Sequence, residues 1–209
     1  MLSLKNWRRR RVLKCHRLDR ELWQWLEGEL PLLGGLSADE RHRLQQLTVL
    51  FVHEKAFEAV DGLELDQAMQ LAIAVQACLP VLNLGLDWYR EWSAVVVYPG
   101  GFTARHEYAD EAGVVHTISR DLSGEAWERG PLILSWEDVA ASPPLDGYNV
   151  IIHECAHKLD MLNGEVNGFP PLERQQAVRW PGVWKRAYED FCIRVERQEP
   201  TWLDPYGAE

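Results

Sequence analysis

The stretch His153-Glu154-Cys155-Ala156-His157 constrains this chain more than any other. On an α-helix, residues four apart share a face one turn above each other, so this H-E-x-x-H segment can aim two imidazoles at one point. Two imidazoles so placed can grip one metal ion, and Glu154 can reach a water on that ion. Zinc peptidases use this spacing to sharpen a water and take its proton. Five bare residues also match by chance, so the setting matters. Asp146-Gly147 offers a helix start, with a carboxylate to cap free amides. Ile151, Ile152, Cys155, Ala156 and Leu159 give apolar faces on both sides of the pair, which predicts a largely buried helix. Asn163-Gly164 is a stop, because both residues tolerate the left-handed conformation. A buried helix with two His and a Glu on one stripe needs polar partners, and a metal supplies one. Cys155 faces away from the two His, which assigns it to packing.

The chain has 209 residues, enough for one large domain, and a net charge of -10, which argues against a general nucleic-acid-binding surface. Residues 5 to 20 run against that balance, with Lys5, Arg8 to Arg11, Lys14, Arg17 and Arg20 facing one acid, Asp19. Residues 1–20 are read as a flexible, solvated basic arm, with contact to acidic lipid or RNA as the alternative. No apolar run is long enough for a signal peptide or a membrane span. The cysteines at 15, 78, 155 and 192 form no C-x-x-C pair, which fits a reducing cytoplasm.

Residues 21 to about 92 read as a helical part. Leu22, Trp25 and Leu26 mark a short helix ended near Pro31. Ser37 and Glu40 form a capping box opening a second, with Leu44, Leu47, Leu50, Phe51 and Phe57 on its buried side and a break at Asp61-Gly62. Asp66 caps a third, through Met69, Ile73 and Ala77. Strands are expected at Ala94–Tyr98, Val114–Ile118 and Pro131–Trp136, the last flanking the cleft with an edge open to an extended peptide. Ser142-Pro143-Pro144 reads as a loop. A final helix is expected to restart at Pro181, with Trp184, Ala187, Tyr188, Phe191 and Val195 as its apolar stripe. Trp88, Trp92 and Trp202 are either internal or anchors for a partner.

These residues resemble the Mlc titration factor A family. The matching blocks are Phe51 through Lys55 with Phe57, Val97-Tyr98-Pro99 with Phe102, Gly124-Glu125-Ala126-Trp127, Gly130-Pro131 with Leu134-Ser135-Trp136, and Asn149 through Asp160 with Asn163-Gly164. The resemblance covers about residues 20 to 209 in order. It implies an α+β fold: a zincin-like metallopeptidase core, similar to the catalytic domain of anthrax lethal factor. A small mixed or antiparallel sheet would pack on the H-E-x-x-H helix, behind a helical N-terminal lobe, in a single domain over 21–209. It further implies a cytoplasmic, aminopeptidase-like gluzincin that hydrolyses peptide bonds through a zinc-bound water. His153 and His157 would be the Zn2+ ligands, Glu154 the general base, and Tyr206 a donor to the oxyanion.

The family's third ligand is a Glu seven residues beyond the tyrosine, in an N-P-A-E-like segment. Counted from Tyr206 it falls past Glu209, so the 209-residue chain is expected to be truncated relative to the family. Alone it would hold metal weakly and show little activity. Asp160, Glu165, Glu173 and Glu209 are the internal acids weighed as substitutes, Asp160 being placed rather to orient a His. The expected partners are a peptide substrate and an Mlc-type transcriptional repressor of sugar uptake, without direct nucleic-acid contact. The alternative to the peptidase is a non-catalytic protein that sequesters that repressor.

Overall fold

The computed structural model describes residues 4–109, 115–122, 124–126, 130–142, 145–164 and 166–208, with the backbone alone over 102–109, 115–122 and 125–126. The strands are β1 (Ala56–Ala59), β2 (Ala94–Tyr98), β3 (Phe102–Ala109), β4 (Val115–Leu122), β5 (Gly124–Ala126) and β6 (Leu132–Ser135). Four of them form a mixed sheet in the order β1-β2-β6-β5, with β1, β2 and β6 parallel and β5 antiparallel to β6. β3 and β4 form a separate antiparallel pair. The architecture is α+β, as expected. The expected strands at 94–98, 114–118 and 131–136 match β2, β4 and β6, while Val114 lies outside the described residues, as do Trp127, Pro143 and Pro144.

The centre of the sheet explains its own sequence. Every residue of β6 is buried, and an apolar run is what a strand covered on both faces requires. Because β6 pairs with β2 and β5, it has no open edge, contrary to the expectation for Leu132–Trp136. The edge strand is β5. Trp136 leaves the strand and opens α5 (Trp136–Ala141), where the Ser135 hydroxyl accepts from the Asp138 N–H at 3.3 Å.

Helix α3 (Ala38–Glu54) begins at the predicted Ser37–Glu40 capping box but does not run on to Asp61-Gly62. Lys55 turns to extended backbone, and the next four residues pair with β2. Ala56 N–H donates to Ser93 and Val60 N–H to Val97, so Phe57 sits on a strand and meets Phe51 edge to face at 6.2 Å. Ala-Phe-Glu-Ala has no β-branched residue; a sheet partner distant in sequence overrides its local preference. Helix α4 (Gln67–Cys78), capped by Asp66 as expected, crosses from β1 to β2 and is buried from Leu71 to Cys78.

The basic segment, expected as an arm, contains helix α1 (Leu4–Cys15). Arg9 makes a two-pronged ion pair with Glu54 at 2.6 and 2.8 Å, and Lys5 and Arg9 both reach Asp87. Acids from distant segments therefore give this cationic stretch its partners. Asp19 caps α2 (Arg20–Glu29), which ends before Pro31.

Helix α6 (Val150–Asp160) carries the H-E-x-x-H motif and stops through Met161–Asn163 at Gly164, whose φ is +118°. It packs on β5, β6 and α4. Helix α7 (Arg174–Glu196) starts seven residues before Pro181, so that proline lies inside the helix, not at its first position. The expected stripe is not buried: Trp184 and Tyr188 are exposed, and α7 packs on the short turn Pro205–Ala208. Of the three uncommitted tryptophans, Trp92 is buried, Trp88 packs on the core and Trp202 is 96% exposed. No helix among the described residues is long and apolar enough to cross a membrane.

Candidate metal centre

The motif helix does not start at Asp146. Its cap is Asn149, whose side-chain oxygen accepts from Ile152 N–H at 2.9 Å. The same amide donates to Gln76 on the buried α4 at 2.7 Å, so one side chain both starts the helix and fixes it to the core. Asp146 instead closes a turn on Tyr148 N–H.

From that start the helix delivers its two imidazoles together. The Nε2 atoms of His153 and His157 are 3.1 Å apart, with ring planes crossing at 86°. At zinc–nitrogen bonds of about 2.0–2.1 Å, two tetrahedral ligands place their nitrogens about 3.3–3.4 Å apart. The observed pair is slightly closer, within hydrogen-bond reach, and a small opening of the two rings would admit one ion between them. Burial lowers both imidazoles below the ordinary histidine value of 6.5, helped at His153 by His157 and opposed at His157 by Asp160. Neutral imidazole is the form that binds metal. Groups depressed in the folded chain favour folding above their unfolded value. Without metal, therefore, the chain is expected to lose stability as pH falls below about 6.5. Urea melts from pH 7.5 to 5.5 test this, and a His153→Asn/His157→Asn variant should show a shallower fall.

Glu154 is buried against β5. Gly124 makes that approach possible: a Cβ there would lie 2.7 Å from the Glu154 Cγ and 2.8 Å from its Oε1. Gly124→Ala is expected to push the carboxylate aside and lower hydrolysis by about 10²-fold, the cost of roughly an ångström of misplacement. Peptide turnover at unchanged zinc content measures it; unchanged turnover would contradict the assigned role of Gly124.

Asp160 lies one turn beyond His157 and raises its affinity for a proton. One Asp160 oxygen accepts from Gly168 N–H at 2.8 Å, and the other is buried without a hydrogen-bond partner among the described residues. Glu173 caps α7. Glu165 and Glu209 lie outside the described residues. Among the described residues, no three His, Cys, Asp or Glu side chains gather to hold an ion.

Tyr206 and His153 line one cavity of about 410 Å³. Tyr206 is exposed, and its N–H is held by Asp204 at 2.8 Å. Gly147, with φ +95°, lets this segment close in: a Cβ there would lie 2.7 Å from backbone atoms of Trp202, Leu203 and Asp204.

Behind the motif, the buried Lys55 ammonium donates to the carbonyls of Tyr89 and Trp92 and sits 3.8 Å from the Trp92 ring centroid. Lys158 approaches the same ring at 5.5 Å and donates to the Gly130 carbonyl at 2.9 Å. Burial lowers both amines to about 8. Cys155 is buried, as expected, and raised to about 12. Gly124, Gly147, Asn149 and Lys55 carry no site role in a reading by motif alone. Asn three residues before Ile152 is a capping signal, whereas the two glycines act through neighbours distant in sequence.

The chain is similar to known proteins over most of its length. The family model for glucose-regulated metallo-peptidase M90 matches residues 4–209. A protein of Cronobacter sakazakii called Mlc titration factor A is 40% identical over 182 residues, covering 86% of this chain and 69% of that protein. Proteins of the same name from Salmonella arizonae and Salmonella schwarzengrund are also 40% identical, covering 89% and 90% of this chain and 76% and 72% of theirs. The α+β chain that pairs His153 and His157 on one helix face is thus a member of the M90 metallopeptidase family and a relative of proteins called Mlc titration factor A.

Proposed function

We propose that this chain is a zinc-dependent peptidase with a zincin-like core. The observation that carries the proposal is the imidazole pair, with its Nε2 atoms 3.1 Å apart, on the same helix as a buried carboxylate. His153 and His157 would hold the ion, and nitrogen donors beside a carboxylate suit zinc. Bound there, zinc would polarise the scissile carbonyl and acidify a water. Glu154, steadied against Gly124, accepts the water's proton on its carboxylate and delivers it to the leaving amine. Tyr206 offers a phenol O–H to the developing oxyanion from across the shared cavity. Asp160 favours a fixed orientation of the His157 ring through its charge. The outer edge of β5 has no partner strand among the described residues, and an extended peptide can hydrogen-bond along it. The resemblance favours aminopeptidase-like trimming, and four free cysteines suit a reducing cytoplasm.

Two imidazoles alone hold an ion more weakly than three ligands. The test therefore adds micromolar zinc to the full chain and follows a peptide panel by mass spectrometry. Cleavage that appears with zinc and disappears with a chelator is expected; none at saturating zinc would overturn the proposal. The second reading, sequestration of an Mlc-type repressor, is favoured by the exposed Trp184, Tyr188 and Trp202. It is tested by repressor capture on the immobilised chain, with a Trp202→Ala control.

A further inference from the structure

We infer that the cavity beside His153 is a specificity pocket for an apolar or aromatic side chain of the peptide substrate; this rests on the peptidase reading above. Its place follows from the helix. At about 100° per residue, with His153 as zero, His157 lies about 40° and Glu154 about 100° to one side of α6. Ala156 and Ile152 lie about 60° and 100° to the other side, and both line the cavity. A peptide laid over the imidazoles with one flank at β5 and Glu154 brings its other flank to this opening.

The lining sets the chemistry of the guest. Leu32, Leu145, Ile152 and Leu203 give apolar walls, and the volume of about 410 Å³ falls within the usual range of ligand pockets. Three polar side chains at its margin are already engaged, while His153 and the Tyr206 phenol mark its catalytic side. Asn149 is bonded to Ile152 N–H and Gln76. The Ser142 hydroxyl donates to the Asp138 carbonyl and accepts from Val150 N–H. Asp204 accepts from Tyr206 N–H. Water inside gains little from such walls, so an apolar side chain displaces it favourably. Asp204 is the one carboxylate of the lining among the described residues and disfavours acidic side chains. Leu145 and Leu203 are exposed at 73% and 57%, apolar surface that a guest would cover.

The test uses the 209-residue Glu154→Gln chain, so that bound peptide is not consumed. Tripeptides Ala-X-Ala with a free N-terminus and an amidated C-terminus, X being Phe, Leu or Asp, are titrated with zinc present, and the methyl signals of Leu145, Ile152 and Leu203 are followed by NMR. The Phe and Leu peptides are expected to bind at least about tenfold tighter than the Asp peptide and to shift those methyls. Ala156→Phe fills the cavity from an exposed helix position and should erase the preference while zinc content holds. Equal affinities, shifts elsewhere, or a preference that survives Ala156→Phe would overturn the pocket. The two ideas separate cleanly. Apolar selectivity in binding, with no cleavage by the zinc-loaded wild-type chain, keeps the pocket and removes the peptidase. Cleavage without side-chain preference does the reverse.

Discussion

Glu154→Gln is expected to lower zinc-dependent hydrolysis by about 10²–10⁴-fold, the usual contribution of a positioned proton acceptor. The amide matches the carboxylate in shape, so the packing against Gly124 survives. What is lost is the ability to take a proton from water and carry it to the leaving amine. Glu154 lies about 100° around the helix from His153, whereas the imidazoles converge with their Nε2 atoms 3.1 Å apart, so the zinc content should not change. Steady-state turnover beside metal analysis reads both quantities. A variant that keeps turnover within about threefold would remove Glu154 from the role of base. Because binding a repressor needs no proton acceptor, the same variant should retain any such binding.

Lys55→Met should cost about 2–4 kcal/mol of folding stability. The ammonium supplies hydrogen bonds to the carbonyls of Tyr89 and Trp92 and lies on the face of the Trp92 ring. Methionine fills similar volume but leaves both acceptors unsatisfied by the side chain. Burying a charge is itself unfavourable, which is why the amine is lowered to about 8; at pH 7 it is still protonated and donates. The sign of the pH effect follows. Between about 8 and the ordinary 10.5 the unfolded chain holds this proton more firmly, so wild-type stability carries a contribution that rises with pH across that window. Lys158 is lowered to the same value and adds its own rise, so Lys55→Met should make the rise shallower rather than abolish it. Urea melts at pH 7 and 9.5 test both statements, and a loss under about 1 kcal/mol at pH 7 would show that the carbonyls find other partners.

The local code was readable where short-range chemistry decides. The Ser37–Glu40 box, the Asp66 cap, the β-branched run of β2 and the stop at Asn163-Gly164 are set by neighbours within four residues. What the sequence concealed depends on distant partners. β1 exists because β2 is there to pair with Ala56–Ala59. The basic segment forms its ion pairs with Glu54 and Asp87. The periodic stripe of α7 looks like a core face, yet Trp184 and Tyr188 remain exposed. At the site, the imidazole pair could be read from its spacing, because a helix fixes residues four apart. The roles of Gly124 and Gly147 could not, since each is defined by how closely a remote segment approaches it.

The most direct measurement is zinc stoichiometry by native mass spectrometry on the 209-residue chain, beside His153→Ala, His157→Ala and the double variant. One zinc per chain at micromolar metal is predicted for the wild type, weakened in each single variant and lost in the double one. A wild-type chain that takes up no zinc, or a double variant that keeps it, would contradict the placement of the metal on this helix.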